Sequence, residues 1–329
     1  MIIETVDLKE ASKIEIVSLM DNTVDFLSSN TRKEVQSLWH WTKEQYGTEW
    51  AQEHKELPFA EHGFCMLIRV FRNRETCTIL FDTGVSSTGV IVNAKRMGID
   101  LSEVSYVVLS HGHYDHFGGL PAIVEAVNRI DLPIITHEDM FKRKGTVSLS
   151  GNVREYPLFP SIEQLTPARI INTKEPHLIA NNLAFITGEI PREVTFEKGL
   201  MQNRIYSNNS WHPDPLVLDD RALIVNIKDK GLVIISGCAH SGIINTIRYA
   251  QQITGCTKVY AILGGFHLAG KEFEKRIEPT IKELKVINPE FIVPSHCTGW
   301  RALVSIAQEF PNNFVSNSVG NIYQFGQTQ

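Results

Sequence analysis

Three histidines and one aspartate fall within six consecutive positions of this chain: His111, His113, Asp115 and His116. Imidazole and carboxylate groups bind divalent ions such as Zn, Mn, Fe and Ni, and a His-x-His pair at a strand end can direct two ring nitrogens at one ion. The neighbouring Asp115 and His116 supply ligands for a second ion, as two-metal hydrolytic sites require. A polar surface loop is the alternative. We predict one or two divalent ions per chain, with Zn first and Mn, Fe, Ni or Mg as alternatives.

This segment lies in an alternation of strands and helices. Short β-branched or aromatic runs bounded by turn residues predict strands, and apolar residues spaced by three and four predict helices. The predicted strands are 14–19, 64–71, 78–81, 104–109, 134–136, 183–186, 222–227, 232–236, 259–263 and 291–293. The predicted helices are 89–97, 121–128, 243–253, 273–284 and 301–309. We therefore expect a sheet-on-sheet core with helices outside it.

Two stretches interrupt this alternation. Residues from about 30 to 57 are polar but hold three tryptophans, and residues from about 145 to 220 are rich in Pro, Asn, Asp and Glu. Long insertions often form lids or binding loops, and surface decoration without a functional role is the alternative. We expect a single domain over residues 1–329, in which these two insertions form a lid or substrate region.

The composition narrows the class of protein. A chain of 329 residues with 43% hydrophobic side chains can bury a large core, and its net charge of −5 disfavours a nucleic-acid binder. Five cysteines without a framework spacing are typical of a reducing compartment. We see no signal peptide and no apolar stretch of the roughly 18 residues that span a bilayer. We expect a cytoplasmic protein with a small-molecule substrate, phosphorylated or not, and no nucleic-acid or membrane partner; the oligomeric state is not indicated.

The motif from His111 to His116, preceded by Asp82-Thr83-Gly84, resembles the HxHxDH signature of the metallo-β-lactamase superfamily. That resemblance implies a four-layer αββα sandwich of two mixed sheets, with helices outside and the metals at one edge. Further motifs resemble the branch of dihydropterin-(ribofuranosyl)aminobenzene phosphate synthase and its relatives, from about Asp21 to the C-terminus. These motifs are Glu61-His62-Gly63, ISGCAHSGIINT at 235–246, LGGFHL at 263–268 and PSHCTGW at 294–300.

The resemblance also implies a ligand set. His111 and His113 would bind the first ion, whereas Asp115, His116 and His296 would bind the second. The superfamily further expects a third histidine in an HTPGHT-type loop and a bridging aspartate at a strand end, and neither is present in its usual form.

In place of that aspartate stands Cys238, which is either a soft ligand or a small buried residue. We expect His240 to complete the first ion's ligands; a helix cap before Ile243 is the alternative. Glu189 is a weaker candidate for the same role.

Other strand ends add supporting groups. We expect Asp82 to accept the second N–H of a ligand histidine, although it could be a simple turn residue. His267 lies where it could reach the substrate, or it is an ordinary loop histidine. The free N–H groups of Thr298 and Gly299 before the last helix could bind an anion, unless Thr298 only caps that helix.

Three function classes fit these residues. The first is metal-assisted hydrolysis, for which Asp115, His240 and His267 are the expected catalytic groups. The second, implied by the resemblance, is a transferase reaction. It would join a dihydropterin methyl diphosphate, through its methyl carbon, to an arylamine ribofuranosyl phosphate and release diphosphate. The third is a non-catalytic metal- or ligand-binding protein. We favour a metal-dependent, hydrolase-like enzyme.

Overall fold

The computed structural model describes residues 5–30, 32–47, 49 and 56–327. The strands of this part are, in chain order, β1 (Glu10–Ala11), β2 (Lys13–Met20), β3 (Val35–Gln36), β4 (Cys65–Arg72), β5 (Glu75–Phe81), β6 (Tyr106–Val108), β7 (Pro133–Thr136), β8 (Lys144–Val147), β9 (Val153–Glu155), β10 (Arg169–Asn172), β11 (His177–Ile179), β12 (Ala184–Ile186), β13 (Asn203–Ser207), β14 (Ser210–Pro213), β15 (Ala222–Ile227), β16 (Gly231–Ser236), β17 (Val259–Gly265), β18 (Phe291–Ser295) and β19 (Ile322–Gly326). The α-helices are α1 (Leu38–Tyr46), α2 (Gly89–Arg96), α3 (Tyr114–Phe117), α4 (Leu120–Val127), α5 (Ile243–Thr254), α6 (Ile277–Ile287) and α7 (Trp300–Glu309).

Two large mixed sheets form the centre of the molecule. The first has the order β10-β7-β6-β5-β4-β2-β19-β3, and the second has the order β11-β12-β15-β16-β17-β18 with β1 beside β15. Alternate residues of each strand face opposite sides, as the period of two requires. In β2, for example, Ile14 and Ile16 pack between the two sheets, whereas Val17 and Leu19 face outward. Both faces of the sheets are therefore apolar.

Helices cover both outer faces. Val90 of α2 and Ile123 of α4 pack on the first sheet, and Ile247 of α5, Leu284 of α6 and Ile306 of α7 pack on the second. The layers therefore run helix, sheet, sheet, helix, which confirms the αββα prediction. Helix α6 begins later than predicted, because residues 274–276 form a short 3-10 turn before it.

A smaller third sheet lies inside the predicted 145–220 insertion. Its order is β14-β13-β8-β9, and all of its pairs are antiparallel. Strands β10, β11 and β12 from the same range belong instead to the two large sheets, so this range is not one continuous insertion. In the range 30–57, β3 joins the first sheet and α1 follows it, while residues 31, 48 and 50–55 lie outside the described residues.

The parallel parts of both sheets create the edge that carries the site. Strands β5, β6 and β7 are mutually parallel, and so are β16, β17 and β18. Ligands in such sheets bind outside the carboxyl ends of the strands. Among the helices of the described residues, none has the length and apolar character needed to cross a membrane.

Candidate metal centre

The predicted site residues lie on segments that leave the carboxyl ends of parallel strands. The segment after β6, a loop followed by the short helix α3, carries His111, His113, Asp115 and His116; the segments after β16, β17 and β18 carry Cys238 with His240, His267, and His296. The structure brings these residues together although they are up to 185 positions apart in the chain, from 111 to 296. Two groups of ligand atoms result.

The first group contains three imidazoles. His111 Nε2 lies 3.0 Å from His113 Nδ1 and 3.2 Å from His240 Nε2, and the last two nitrogens are 3.0 Å apart. Three nitrogens on a tetrahedral Zn ion, each at about 2.0–2.1 Å, would be about 3.3 Å apart. Hydrogen bonds within the trio cannot satisfy all three nitrogens, because each offers only one proton or one lone pair. A cation among them would satisfy all three.

The protonation state of this trio also suits a metal. Burial is the largest cause that lowers the pKa of all three imidazoles, and nearby imidazoles and Lys144 add to it; the net pKa of His113 is about 4. The rings are therefore neutral near pH 7 and keep the lone pairs that a metal needs.

The second group mixes oxygen, nitrogen and sulfur. Asp115 Oδ2 lies 3.2 Å from His296 Nε2 and 3.8 Å from His116 Nε2. His116 Nε2 lies 3.2 Å from Cys238 Sγ. The ring of His296 is oriented by Asn22, whose Oδ1 lies 3.1 Å from Nδ1. His296 Nε2 is buried and makes no hydrogen bond within the described residues, as expected of a nitrogen that faces an ion.

Asp82 contacts His116 of the second group directly and His111 of the first group through Ser110. Its carboxylate is fully buried, lies 2.6 Å from His116 Nδ1 and accepts the Ser110 hydroxyl at 2.7 Å. The Ser110 oxygen in turn lies 2.9 Å from His111 Nδ1. One carboxylate thus orients a histidine ring of each group, and the role of Asp82 in fixing the tautomer of a ligand histidine stays a prediction. Although burial lowers the pKa of His116, the charges of Asp82 and Asp115 outweigh it and raise that pKa to about 9.

Three further buried aspartates hold the backbone of the ligand loops. Asp219 accepts Gly112 N–H at 2.7 Å, Asp220 accepts Ser241 N–H at 2.8 Å, and Asp21 accepts His296 N–H at 2.9 Å. Each N–H lies within one residue of a predicted metal ligand. Asp219 is itself paired with the buried Lys144, which comes from the third sheet. The ligand loops are therefore fixed from several sides.

The backbone is strained around the site. Asp82, Ala239, His267 and His296 have φ angles of 61°, 51°, 45° and 48°. Non-glycine residues adopt this left-handed conformation rarely, and such residues cluster at functional sites. All four stand just beyond the carboxyl ends of strands, where the chain must turn sharply over the site.

The remaining predicted residues have mixed placements. The ring of His267 lies 4.4 Å from that of His240, beside the first group. Glu189 pairs instead with His137 Nε2 at 3.1 Å and is not among the clustered ligands. The Thr298 hydroxyl is buried and accepts Phe266 N–H at 3.0 Å, so it serves the fold. The anion site at Thr298 and Gly299 stays a prediction.

Several residues at the site were not assigned a role from the sequence. His62 Nε2 lies 3.6 Å from Asp115 Oδ2, and the His62 ring stacks on His296 with centroids 4.9 Å apart. Cys297 and the aspartates at 21, 219 and 220 are the others. A usable signal was present for the acidic pair Asp219-Asp220, which precedes the apolar strand β15 with only Arg221 between them.

Aromatic side chains flank the metal ligands. The ring of Tyr156 lies 5.3 Å from that of His113 and 6.5 Å from that of Tyr114, while Phe273 lies 4.6 Å from His267. Tyr114 is partly exposed. These rings offer apolar faces to a bound molecule beside a polar centre, a typical composition for a small-molecule site.

Comparison with known proteins agrees with this geometry. A family model for the metallo-β-lactamase superfamily matches residues 59–244. The chain is 33% identical over 282 residues to the 7,8-dihydropterin-6-methyl-4-(β-D-ribofuranosyl)-aminobenzene-5'-phosphate synthase of Methanocaldococcus jannaschii, covering 82% of this chain and 92% of that protein. It is also 34% identical over 270 residues to an uncharacterized protein of the same organism, covering 80% and 93% of the two chains.

Solved structures share the fold. One is a metal-dependent hydrolase of the β-lactamase superfamily, with a TM-score of 0.70 and 24% identity over 96% of this chain and 100% of that one. Another is the metallo-β-lactamase fold protein YhfI of Bacillus subtilis, with a TM-score of 0.51 and 12% identity over 95% and 100%. The arrangement of layers, the clustered ligands and these matches agree, and the chain belongs to the metallo-β-lactamase superfamily.

Proposed function

We propose that this protein is a metal-dependent hydrolase acting on a small anionic substrate, with up to two divalent ions, most simply Zn, at the ligand cluster. One observation carries the proposal: a three-histidine group and a mixed Asp, His and Cys group meet at one sheet edge. His111 and His116 lie in a further cluster with Cys238, which joins the two groups. Two ions held by these residues would supply Lewis acidity and lower the pKa of bound water.

The chain's own residues have distinct tasks in this proposal. The neutral imidazoles of His111, His113 and His240 hold the first ion, and Asp82 keeps the rings of His111 and His116 in the orientation required for binding. His62 is exposed to solvent and lies beside Asp115. Partial burial of the ring and the neighbouring His296 lower the pKa of His62, so near pH 7 the neutral ring can accept a proton at the mouth of the site. His267 lies beside the first group, next to the ring of His240, as His62 lies beside the second group.

A second candidate function is transfer to an arylamine. It is supported by the identity to the Methanocaldococcus jannaschii synthase over most of both chains, and by the aromatic faces of Tyr156 and Phe273 beside the ligands. Such faces suit a planar pterin ring. The substrate would then be phosphorylated, and the ions would stabilise a departing diphosphate instead of activating water.

Metal content tests the site. Purified wild-type protein is expected to hold up to two equivalents of transition metal, and a His111→Ala, His113→Ala double variant is expected to hold at most one. His212→Ala is the matched control, because His212 is an exposed histidine of β14 that bonds Ser210. Equal metal content in all three proteins would refute the assignment.

Turnover assays distinguish the two reactions. The metal-loaded protein is incubated with esters, lactones and phosphodiesters, and separately with a dihydropterin methyl diphosphate with and without an arylamine. Product formation with water alone supports hydrolysis, whereas diphosphate release that requires the arylamine supports transfer. Full metal content with no turnover of any of these substrates would contradict both and leave a binding protein.

A further inference from the structure

Two thiols face the second ligand group. The ligand atoms of Cys238, His296 and Cys297 all lie within 4.8 Å of one another. Cys238 Sγ is also 3.2 Å from His116 Nε2, while Cys297 Sγ is 3.5 Å from the Cys238 carbonyl oxygen. Cys238 is buried and Cys297 is half-buried. Their sulfur atoms are therefore close to each other and to two of the histidines that are expected to hold the second ion.

The backbone maintains this proximity. Cys238 comes directly before Ala239, and Cys297 directly follows His296, two of the four residues in the left-handed conformation. His296 N–H is held by Asp21, which fixes the start of the Cys297 turn. The two turns come from neighbouring parts of the second sheet, after β16 and β18. The pair is thus set by the fold and not by a chance side-chain rotamer.

Gly265, at the end of β17 between the two turns, leaves the space that the thiols need. A Cβ atom at Gly265 would lie 2.5 Å from Cys297 Sγ and 3.2 Å from the Cys238 Cα. The first of these distances is too short for any side chain at this position. The absence of a side chain here allows Cys297 to point toward Cys238.

We propose that Cys238 and Cys297 form a thiolate pair that binds the second ion together with His296, in place of the carboxylate that bridges the ions in other members of the family. This inference rests on the metal site of the proposed function. Both sulfurs bind the ion as thiolates, so a proton carried by either thiol passes to solvent on binding. His296 also clusters with Asp115 and His62, so the Asp115 carboxylate is an alternative ligand for the same ion. We call Asp115 and His62 the oxygen side of this group.

The thiol pair predicts which metals occupy the second position. Thiolate ligands favour Zn and other soft or borderline ions, whereas carboxylate and water favour Mg and Mn. With two sulfur ligands, Zn should displace Mn from this position readily. With the oxygen side alone, Zn should show a smaller advantage over Mn.

Cobalt substitution tests the proposal without any activity measurement. Metal-free protein is titrated with Co(II), and the near-ultraviolet sulfur-to-cobalt charge-transfer band is recorded at each equivalent. We expect a band whose intensity falls by about half in Cys238→Ser and in Cys297→Ser and disappears in the double variant. Cys256→Ser is the matched control, because Cys256 lies near Asn226 and Lys258, away from the ligand cluster. A band that Cys297→Ser leaves unchanged would overturn the proposal.

X-ray absorption of the wild-type protein covers the case in which a variant fails to fold. With two Zn ions bound, the proposal requires one sulfur per Zn on average, at about 2.3 Å. Half a sulfur per Zn would mean that a single cysteine binds, and no sulfur would mean that the second ion is bound by Asp115 and the histidines without a thiolate. Either result overturns the thiolate pair. Because the histidines would still hold metal in both cases, this failure is distinct from failure of the metal-site assignment, in which the His111→Ala, His113→Ala variant keeps its full metal content.

Discussion

At the scale of single residues, the ligands depend on carboxylates that are not themselves in the ligand clusters. Asp82 orients two ligand rings, and the aspartates at 21, 219 and 220 each accept a backbone N–H next to a ligand. A buried carboxylate that lost these bonds would be costly, so each one constrains its loop strongly. The geometry of the candidate metal site is therefore set largely by the residues around it.

Asp82→Asn tests this dependence. The amide oxygen can still accept Ser110 N–H, but the amide nitrogen would then face His116 Nδ1 and favour the tautomer that has its proton on Nε2. That tautomer cannot bind metal through Nε2, so we expect the affinity for the second ion to fall about 10- to 100-fold. Calorimetric titration with Zn measures the effect.

Asp100→Asn is the control, since Asp100 is an exposed aspartate that only caps a short turn. Equal Zn affinities in wild type and Asp82→Asn would show that the contact does not control the tautomer.

The sequence predicts local residue patterns better than distant ones. The ligands from His111 to His116 stand in one loop, so their spacing alone indicates a metal site. Cys297 and Asp219 make their contacts with residues 59 and 107 positions away. No local period encodes such pairs, and only the fold reveals them.

At the scale of elements, helix α5 has an unusual N-terminal cap. The Glu197 carboxylate accepts the N–H groups of Ile244 at 2.9 Å and Asn245 at 2.8 Å. These groups have no partner within a helix, and an anion is favoured there. Burial of Glu197 nevertheless raises its pKa to about 7, because the cost of desolvation exceeds the effect of the two hydrogen bonds.

This cap predicts a pH dependence of stability. The pKa of Glu197 is higher in the folded state than the ordinary value of 4.5, so the folded protein binds the extra proton between these pH values. The contribution of Glu197 is full below about pH 4.5 and is lost as the pH rises through about 7, by about 3 kcal/mol. Relative to Glu197→Gln, the wild-type free energy of unfolding should therefore fall over this range.

Urea unfolding of both proteins from pH 4.5 to 8 measures the difference. Glu125→Gln, on an exposed position of α4, controls for the change in net charge. A constant difference between wild type and Glu197→Gln across this range would contradict the raised pKa.

How well a strand can be predicted from the sequence depends on how many of its residues are apolar. Apolar strands such as β4 and β17 stand out in the sequence because each sheet packs on the other sheet with one face and on helices with the opposite face. Both faces therefore require apolar residues. The third sheet does not stand out. Strand β14, with the sequence SWHP, is mostly exposed, so no buried face imposes an alternation on it.

At the scale of the whole molecule, the candidate metal ligands connect the two large sheets. The loop from His111 to His116 leaves the first sheet, whereas His240 and His296 leave the second. Unfolding separates these ligands, so ions bind the folded state far better and should stabilise it. Chelator-treated protein is expected to gain about 2.7 kcal/mol at a free Zn concentration of a hundred times Kd.

Thermal unfolding with and without Zn measures this gain. The His111→Ala, His113→Ala variant should respond less, because it lacks two of the three ligands of the first group. An equal rise in Tm for both proteins would mean that Zn acts elsewhere.

The position of β19 has a consequence for biosynthesis. This strand pairs with β2 and with β3, so residues 322–326 fill a gap between segments made first. Just before it, Asn317 donates to Asp21 at 2.6 Å, and Asp21 holds His296. Before residues 322–326 have been synthesised, the nascent chain therefore exposes an open strand edge at β2 and β3. We expect His296 to reach its final position only after these residues close the sheet.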